Sequence, residues 1–160
     1  MTHTLHRRGD NDSLSEDYVM LIMPARGVNF DGSEEKMRQI WEVISHYEGE
    51  LPNFGNASNG NSHRTTMEVL KKATSWIAHA VFKDRETLKA CLKELKERDF
   101  GISVVISGLY EDVERLCAEV GLSPTRWNIP LAFTGTQRDC LMRMSLKSPP
   151  CAGMPWCHPT

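Results

Sequence analysis

The sequence predicts an α/β domain, a mostly parallel sheet made of βαβ units with helices packed on it. Three observations lead to that expectation. Short apolar runs at residues 18–23, 76–82 and 102–106 have the length and composition of buried strands. Apolar residues recur at helical spacing in three stripes elsewhere in the chain. Strands and helices therefore alternate, and right-handed crossovers would lay the helices over the sheet. A ferredoxin-like α/β sandwich is the alternative, because the long Asn/Gly-rich stretch at residues 51–63 has room for an extra edge strand.

Taken in order, residues 1–16 are polar and read as a disordered lead-in. The single α/β domain is expected over residues 17–133. Its first strand, Tyr18-Val19-Met20-Leu21-Ile22-Met23, stops at Pro24. Ser33 offers an N-cap with Glu34 and Glu35 in the first turn, where carboxylates suit the helix dipole. Met37, Ile40, Trp41, Ile44 and Tyr47 make that helix's apolar stripe, closed by Gly49. Residues 51–63 read as a loop, with Asn53, Asn56, Asn59, Asn61 and His63 as polar groups able to hold a ligand or simply to turn the chain. Thr65 or Thr66 caps a short helix through Met67, Val69, Leu70 and Ala73. After the second strand, Lys83-Asp84 leads into a helix with Leu88, Cys91, Leu92 and Leu95 inward. Residues 102–106, the most β-branched run, read as a central strand. Val113, Leu116, Cys117 and Val120 form the last stripe before Gly121, and residues 126–133 suggest a final strand. Residues 134–160 show neither period and read as an irregular, unpacked tail.

Composition narrows the function classes. The chain has 160 residues, 40% hydrophobic and 25% charged, which fits one globular domain. Its formal net charge of -2 argues against a nucleic-acid partner. No apolar run approaches the roughly 20 residues of a membrane helix, and no apolar segment follows the charged residues 1–8, so neither a membrane partner nor secretion is expected. The expected location is the cytoplasm, where the five cysteines would stay reduced.

Few residues point to chemistry. Ser107-Gly108 ends the best strand and opens a helix, so free backbone N–H groups there suit an anion. Arg26, leaving the first strand, is expected at the same sheet edge, where it would meet a carboxylate or phosphate. His79 shares a strand face with Ile77 and Val81, as a half-buried histidine or a ligand contact. Arg26, Ser107, Gly108 and His79 are therefore the ligand-binding candidates. Cys91 and Cys117 fall on helical stripes and read as small apolar residues. Cys140, Cys151, Cys157 and His158 follow no recognised zinc spacing, and Cys151, Cys157 and His158 are only weak metal candidates. No phosphate-binding glycine motif, HExxH or Ser-His-Asp order is present, so the sequence names no catalytic residue and no cofactor.

The tail has a composition of its own. Beyond residue 133 the only acid is Asp139, whereas prolines and cysteines concentrate there. Back-translation offers a reason. Read from each third codon position, the codons from Met142 onward can spell Asp-Ala-Asp-Val-Phe-Glu-Ile-Thr-Thr-Met-Cys-Gly-His-Ala-Met-Val-Ser-Pro. This is compatible with a frame slip near residues 129–131, after which the native protein would continue beyond residue 160. The hidden Thr-Thr-Met-Cys-Gly-His text, together with residues 102–121, resembles the N-terminal part of a prokaryotic hypothetical-protein family. The resemblance covers residues 18–130 and implies no catalytic residue in this chain. It implies instead that a Cys-Gly-His turn of full-length relatives is missing here, and that Cys140, Cys151, Cys157 and His158 are accidental.

Three functions are compatible with these features. The first is binding of a small anionic metabolite at the sheet edge, with the Asn-rich loop as a lid. The second is part of a metal- or thiol-dependent enzyme whose chemical site lies in a missing or altered C-terminal region. The third is an oligomerising interaction module, a homo-oligomer held by an incomplete sheet.

Overall fold

The fold is described from a computed structural model over residues 10–125 and 142–145, with 124–125 and 142–145 described by backbone alone. Strand β1 (Tyr18–Met23) lies in the middle of the sheet. On one side it pairs with β4 (Ala78–Phe82) and on the other with β5 (Ser103–Ser107), both antiparallel. Beyond β4 lie β2 (Asn53–Asn56) and β3 (Gly60–Asn61), and beyond β5 lie β7 (Met142–Ser145) and β6 (Pro124–Thr125). The seven-stranded order is β3-β2-β4-β1-β5-β7-β6, and every neighbouring pair is antiparallel.

This corrects the expectation of a mostly parallel sheet. Helix α2 (Ser33–Ser45) links β1 to β2, and α4 (Arg85–Arg98) links β4 to β5. Each crossover returns in the same direction but leaves a gap of one strand. β4 fills the first gap and β1 the second, each running the opposite way. Strand–helix alternation is the same in both arrangements, so it could not separate them. The β1–α2–β2, β4–α4–β5 connectivity with the order β2-β4-β1-β5 is that of the ferredoxin-like alternative. The extra strand is indeed in the Asn/Gly stretch, where β2 and β3 form a hairpin over residues 53–61.

The hairpin depends on its glycines. A Cβ at Gly55 would lie 2.0 Å from the Gly60 carbonyl oxygen, so only glycine lets the two backbones approach this closely. Gly60 follows the turn with φ +83°, a left-handed conformation that glycine adopts without strain. Asn56 Oδ1 accepts from the Ser58 and Asn59 N–H groups and closes the turn from inside.

Helices α3 (Met67–Lys72), α2, α4 and α5 (Tyr110–Val120) form one continuous layer: α3 packs on α2, α2 on α4, and α4 on α5. Beneath it lie Tyr18, Met20 and Ile22 of β1, Phe82 of β4, and Val104 and Ile106 of β5, all buried in one core. Ala78 and Ala80 keep β4 low where both α2 and α4 cross it, and the fully buried Trp41 on α2 fills the same core.

Local details refine the sequence reading. Gly32, with φ 73°, is the N-cap of α2, and Ser33 is the first helical residue instead. That helix ends at Ser45 rather than near Gly49. Asp84 caps α4 by accepting from Thr87 N–H at 2.7 Å. A short helix, α1 (Asn11–Ser15), stands within the expected disordered lead-in and buries Leu14. Met142–Ser145, within the expected irregular tail, pair with β5. The expected strand at 126–133 lies outside the described residues. Among the described residues no helix is long and apolar enough to cross a membrane.

Candidate functional site

Strand alternation puts the odd-numbered residues of β1, β4 and β5 on the face away from the helices. In one row across that face, Gly55, His79, Leu21 and Val105 are register partners. In the next, Asn53, Val81, Val19 and Ser107 line up. Met23 and Ser103 begin a third. Val19, Leu21, Met23, Val81 and Val105 are half-buried and none belongs to the core cluster. No Asp, Glu, Lys or Arg occurs among these positions, and the next register partner, beside Val105 on β7, is Arg143. Antiparallel sheets with one solvated face ordinarily alternate apolar inside with polar outside. Here apolar residues dominate the second face of the central strands as well. That departure from ordinary alternation makes the face the candidate site.

His79 lies near the middle of this surface. Its lateral neighbours are Leu21 on β1 and Gly55 on β2. Burial among these groups pushes its imidazole pKa below the ordinary value, with no charged group contributing.

The antiparallel sheet separates the other ligand-binding candidates. Met23 pairs with Ser103 and Val19 with Ser107, so Ser107 is at the start of β1 whereas Arg26 follows its end. Those two register pairs are four residue steps of strand, about 13 Å, apart. Arg26 and Ser107 thus occupy opposite ends of the sheet, because β5 runs against β1 rather than beside it. The place proposed for an anion at Ser107-Gly108 is also filled. Ser107 is buried, and a Cβ on Gly108 would come within 2.7 Å of the Tyr18 ring. The next N–H, that of Leu109, donates to the Leu14 carbonyl of α1. Glu111 and Asp112 in the first turn of α5 add negative charge there. Of the four candidates, only His79 joins the open face at its centre. Gly108 packs at its margin, and Arg26 belongs to a different region.

At that opposite end, a cleft of about 350 Å³ is lined by Phe30, Asp31, Glu34, Glu35, Arg38 and Trp76, together with Gly32. Phe30 and Trp76 have ring centroids 5.1 Å apart, and Trp76 is exposed. The chain's own cations already serve this cleft: Arg26 lies 5.8 Å over the Phe30 ring, and Arg38 pairs with Glu35 at 3.3 Å. Sequence reasoning missed it, since Phe30 and Trp76 belong to separate segments with no shared periodicity.

Neither described thiol is set up for chemistry. Burial pushes the Cys91 thiol up to about 12 and the Cys117 thiol up to about 11, as suits two core residues. Among the described residues no group of three His, Cys, Asp or Glu side chains could hold a metal ion. Cys151, Cys157 and His158, with Cys140, lie outside the described residues. No family model, curated protein or solved structure matches the chain.

Proposed function

We propose that this domain is an interaction module that pairs with a second copy of the chain through the sheet face that no described helix covers. The observation behind this reading is that the face is apolar and free of charge across β4, β1 and β5. A contiguous apolar surface of this kind marks a contact site. Five strands spaced about 4.8 Å apart, each about five residues long, give a flat area of about 400 Å². That is about 800 Å² over both copies, the size of a weak, transient contact, so a dimer no tighter than micromolar is expected.

A second copy fits this surface better than a dissimilar partner. A two-fold axis sets each face against its own image, and β4, β1 and β5 bring no Asp, Glu, Lys or Arg to it; Arg143 of β7, the register partner of Val105, lies at its margin. Two such sheets would pack about 10 Å apart with their side chains interdigitated. The edges favour the face as well. β3 and β6 are only two residues each and offer little backbone for edge-to-edge pairing. The alternative of a small anion at the sheet edge would have needed Arg26 and Ser107 together.

Leu21→Lys and Val105→Lys test the reading, since both positions are half-buried and tolerate a long side chain that snorkels to water. Light scattering coupled to size exclusion should give twice the chain mass for the wild type at tens of micromolar. Each variant should give one chain mass with an unchanged circular dichroism spectrum. Wild type and variants of equal mass would refute the proposal.

A further inference from the structure

We infer that the cleft between Phe30 and Trp76 is a binding site for a small organic cation, a methylated ammonium group seated against the two rings. The site is separate from the sheet face and does not rest on the pairing.

The topology builds it. Ile22 and Ala78 are register partners, so the chain leaving β1 and the chain entering β4 lie at the same end of the sheet. The first carries Phe30 and the second Trp76, and their ring planes are tilted by 52° at a centroid distance of 5.1 Å. Two tilted faces make a corner rather than a closed stack. Hydrogen bonds hold both segments. Asn29 Oδ1 accepts from the Ala25 N–H at 2.7 Å, Asn29 Nδ2 donates to the Gly101 carbonyl, and Ser75 Oγ accepts from the Ile77 N–H. Such preorganisation lowers the cost of binding. The cleft's volume of about 350 Å³ suits a small molecule. Trp76 is 46% exposed, so the ring type that attracts cations most strongly is left open to a ligand.

Charge selects the ligand. Asp31, Glu34 and Glu35 line the cleft, and Arg38 is its one lining cation. Glu35 engages Arg38 at 3.3 Å, whereas Asp31 and Glu34 have no ion-pair partner among the described residues. Glu34 and Glu35 alone are what the first turn of a helix ordinarily carries. Their place beside an exposed aromatic corner is what points to a ligand. An anion is repelled there. A metal ion is poorly served, since among the described residues no three His, Cys, Asp or Glu side chains converge to hold one. What fits is a weakly hydrated cation whose methyl groups touch the rings while its charge faces the carboxylates. The chain supplies a stand-in: the Arg26 guanidinium lies 5.8 Å from the Phe30 centroid, near the roughly 6 Å limit of such contacts. Arg26 is exposed and no described carboxylate holds it, so a ligand can displace it.

A free alkylammonium and a trimethylated lysine side chain share this headgroup, so the test uses both, as choline and acetyl-trimethyllysine amide. Dimethylbutanol, the uncharged isostere of choline, is the control. Two-dimensional NMR of the full chain at neutral pH follows the Trp76 indole N–H, assigned by its loss in Trp76→Leu, and the Gly32 amide. At least one cation should shift both signals saturably with a dissociation constant of about 1 mM, and the tighter binder identifies the source. Trp76→Leu, read at Gly32, should weaken binding at least about fivefold. Glu34→Gln should weaken it and Arg26→Gln should tighten it, each about twofold. An otherwise unchanged amide spectrum shows that each variant is folded. No saturable shift with either cation overturns the inference. So does an equal response to dimethylbutanol, because the charge would then play no part, and so does weaker binding by Arg26→Gln, because Arg26 would then be holding the ligand rather than its place.

Discussion

Gly55 shows how one residue can decide a local structure. Its missing side chain is what allows the Gly60 carbonyl to approach, and any Cβ there must push backbone rather than a movable side chain. Gly55→Ala should therefore destabilise the domain by about 1–3 kcal/mol, as overpacking and strain typically do. Urea denaturation checks this, and an unchanged midpoint would show that the hairpin adjusts freely. Glu119 is a second case. Its carboxylate accepts from Arg85 at 2.6 Å and pairs with Lys89, and these contacts hold its pKa down to about 2. A depressed carboxylate stabilises the fold above its unfolded pKa, and that stabilisation is lost as pH falls toward about 2. Glu119→Gln should thus cost little stability at pH 7, as the group is exposed. The difference from wild type should shrink further between pH 4.5 and pH 2 in thermal melts. A difference that grows on acidification would contradict the assignment.

Among the elements, those with a strong period were legible in the sequence. The stripes of α2, α4 and α5 and the apolar runs of β1, β4 and β5 fall where periodicity placed them, within a few residues at the ends. Legibility failed where backbone geometry, not side-chain pattern, makes the element. β2 and β3 contain Asn, Phe and Gly instead of β-branched residues, because Gly55 must admit a neighbouring backbone and Asn56 must close a turn. Caps behave similarly: Ser33 was read as the cap of α2, whereas Gly32 caps it through its left-handed backbone and without a side-chain bond, and α4 is capped by the Asp84 side chain. Asp84 also accepts from the Thr87 hydroxyl at 3.0 Å, and Glu50 accepts from the same hydroxyl, so the start of α4 is tied to the residues before β2. Asp84→Ala should cost about 1 kcal/mol by loss of the cap, read as a lower melting temperature. A melting temperature equal to wild type would mean that Glu50 and water replace the cap fully.

For the whole molecule, strand direction was the quantity the sequence left open. Two split crossovers place β1 and β4 between the strands of each other's units, and only pairing across the chain reveals it. That single property rearranged the candidate site. It moved Arg26 and Ser107 to opposite ends and put His79, Leu21 and Val105 into adjacent register. His79 was legible as a half-buried residue sharing a face with Val81, but the face itself was not. A run such as Val19-Met20-Leu21-Ile22-Met23 is apolar at every position, so it does not show which side the helices cover. Once they cover the even-numbered side, the odd-numbered residues of the same run remain as an apolar surface.

The most direct test of that surface is sedimentation equilibrium of the wild-type chain at neutral pH over a hundredfold range of concentration. A closed two-fold pairing predicts a weight-average mass that rises from one chain toward two and levels off there. A mass that stays at one chain throughout, or climbs past two without a plateau, would contradict it.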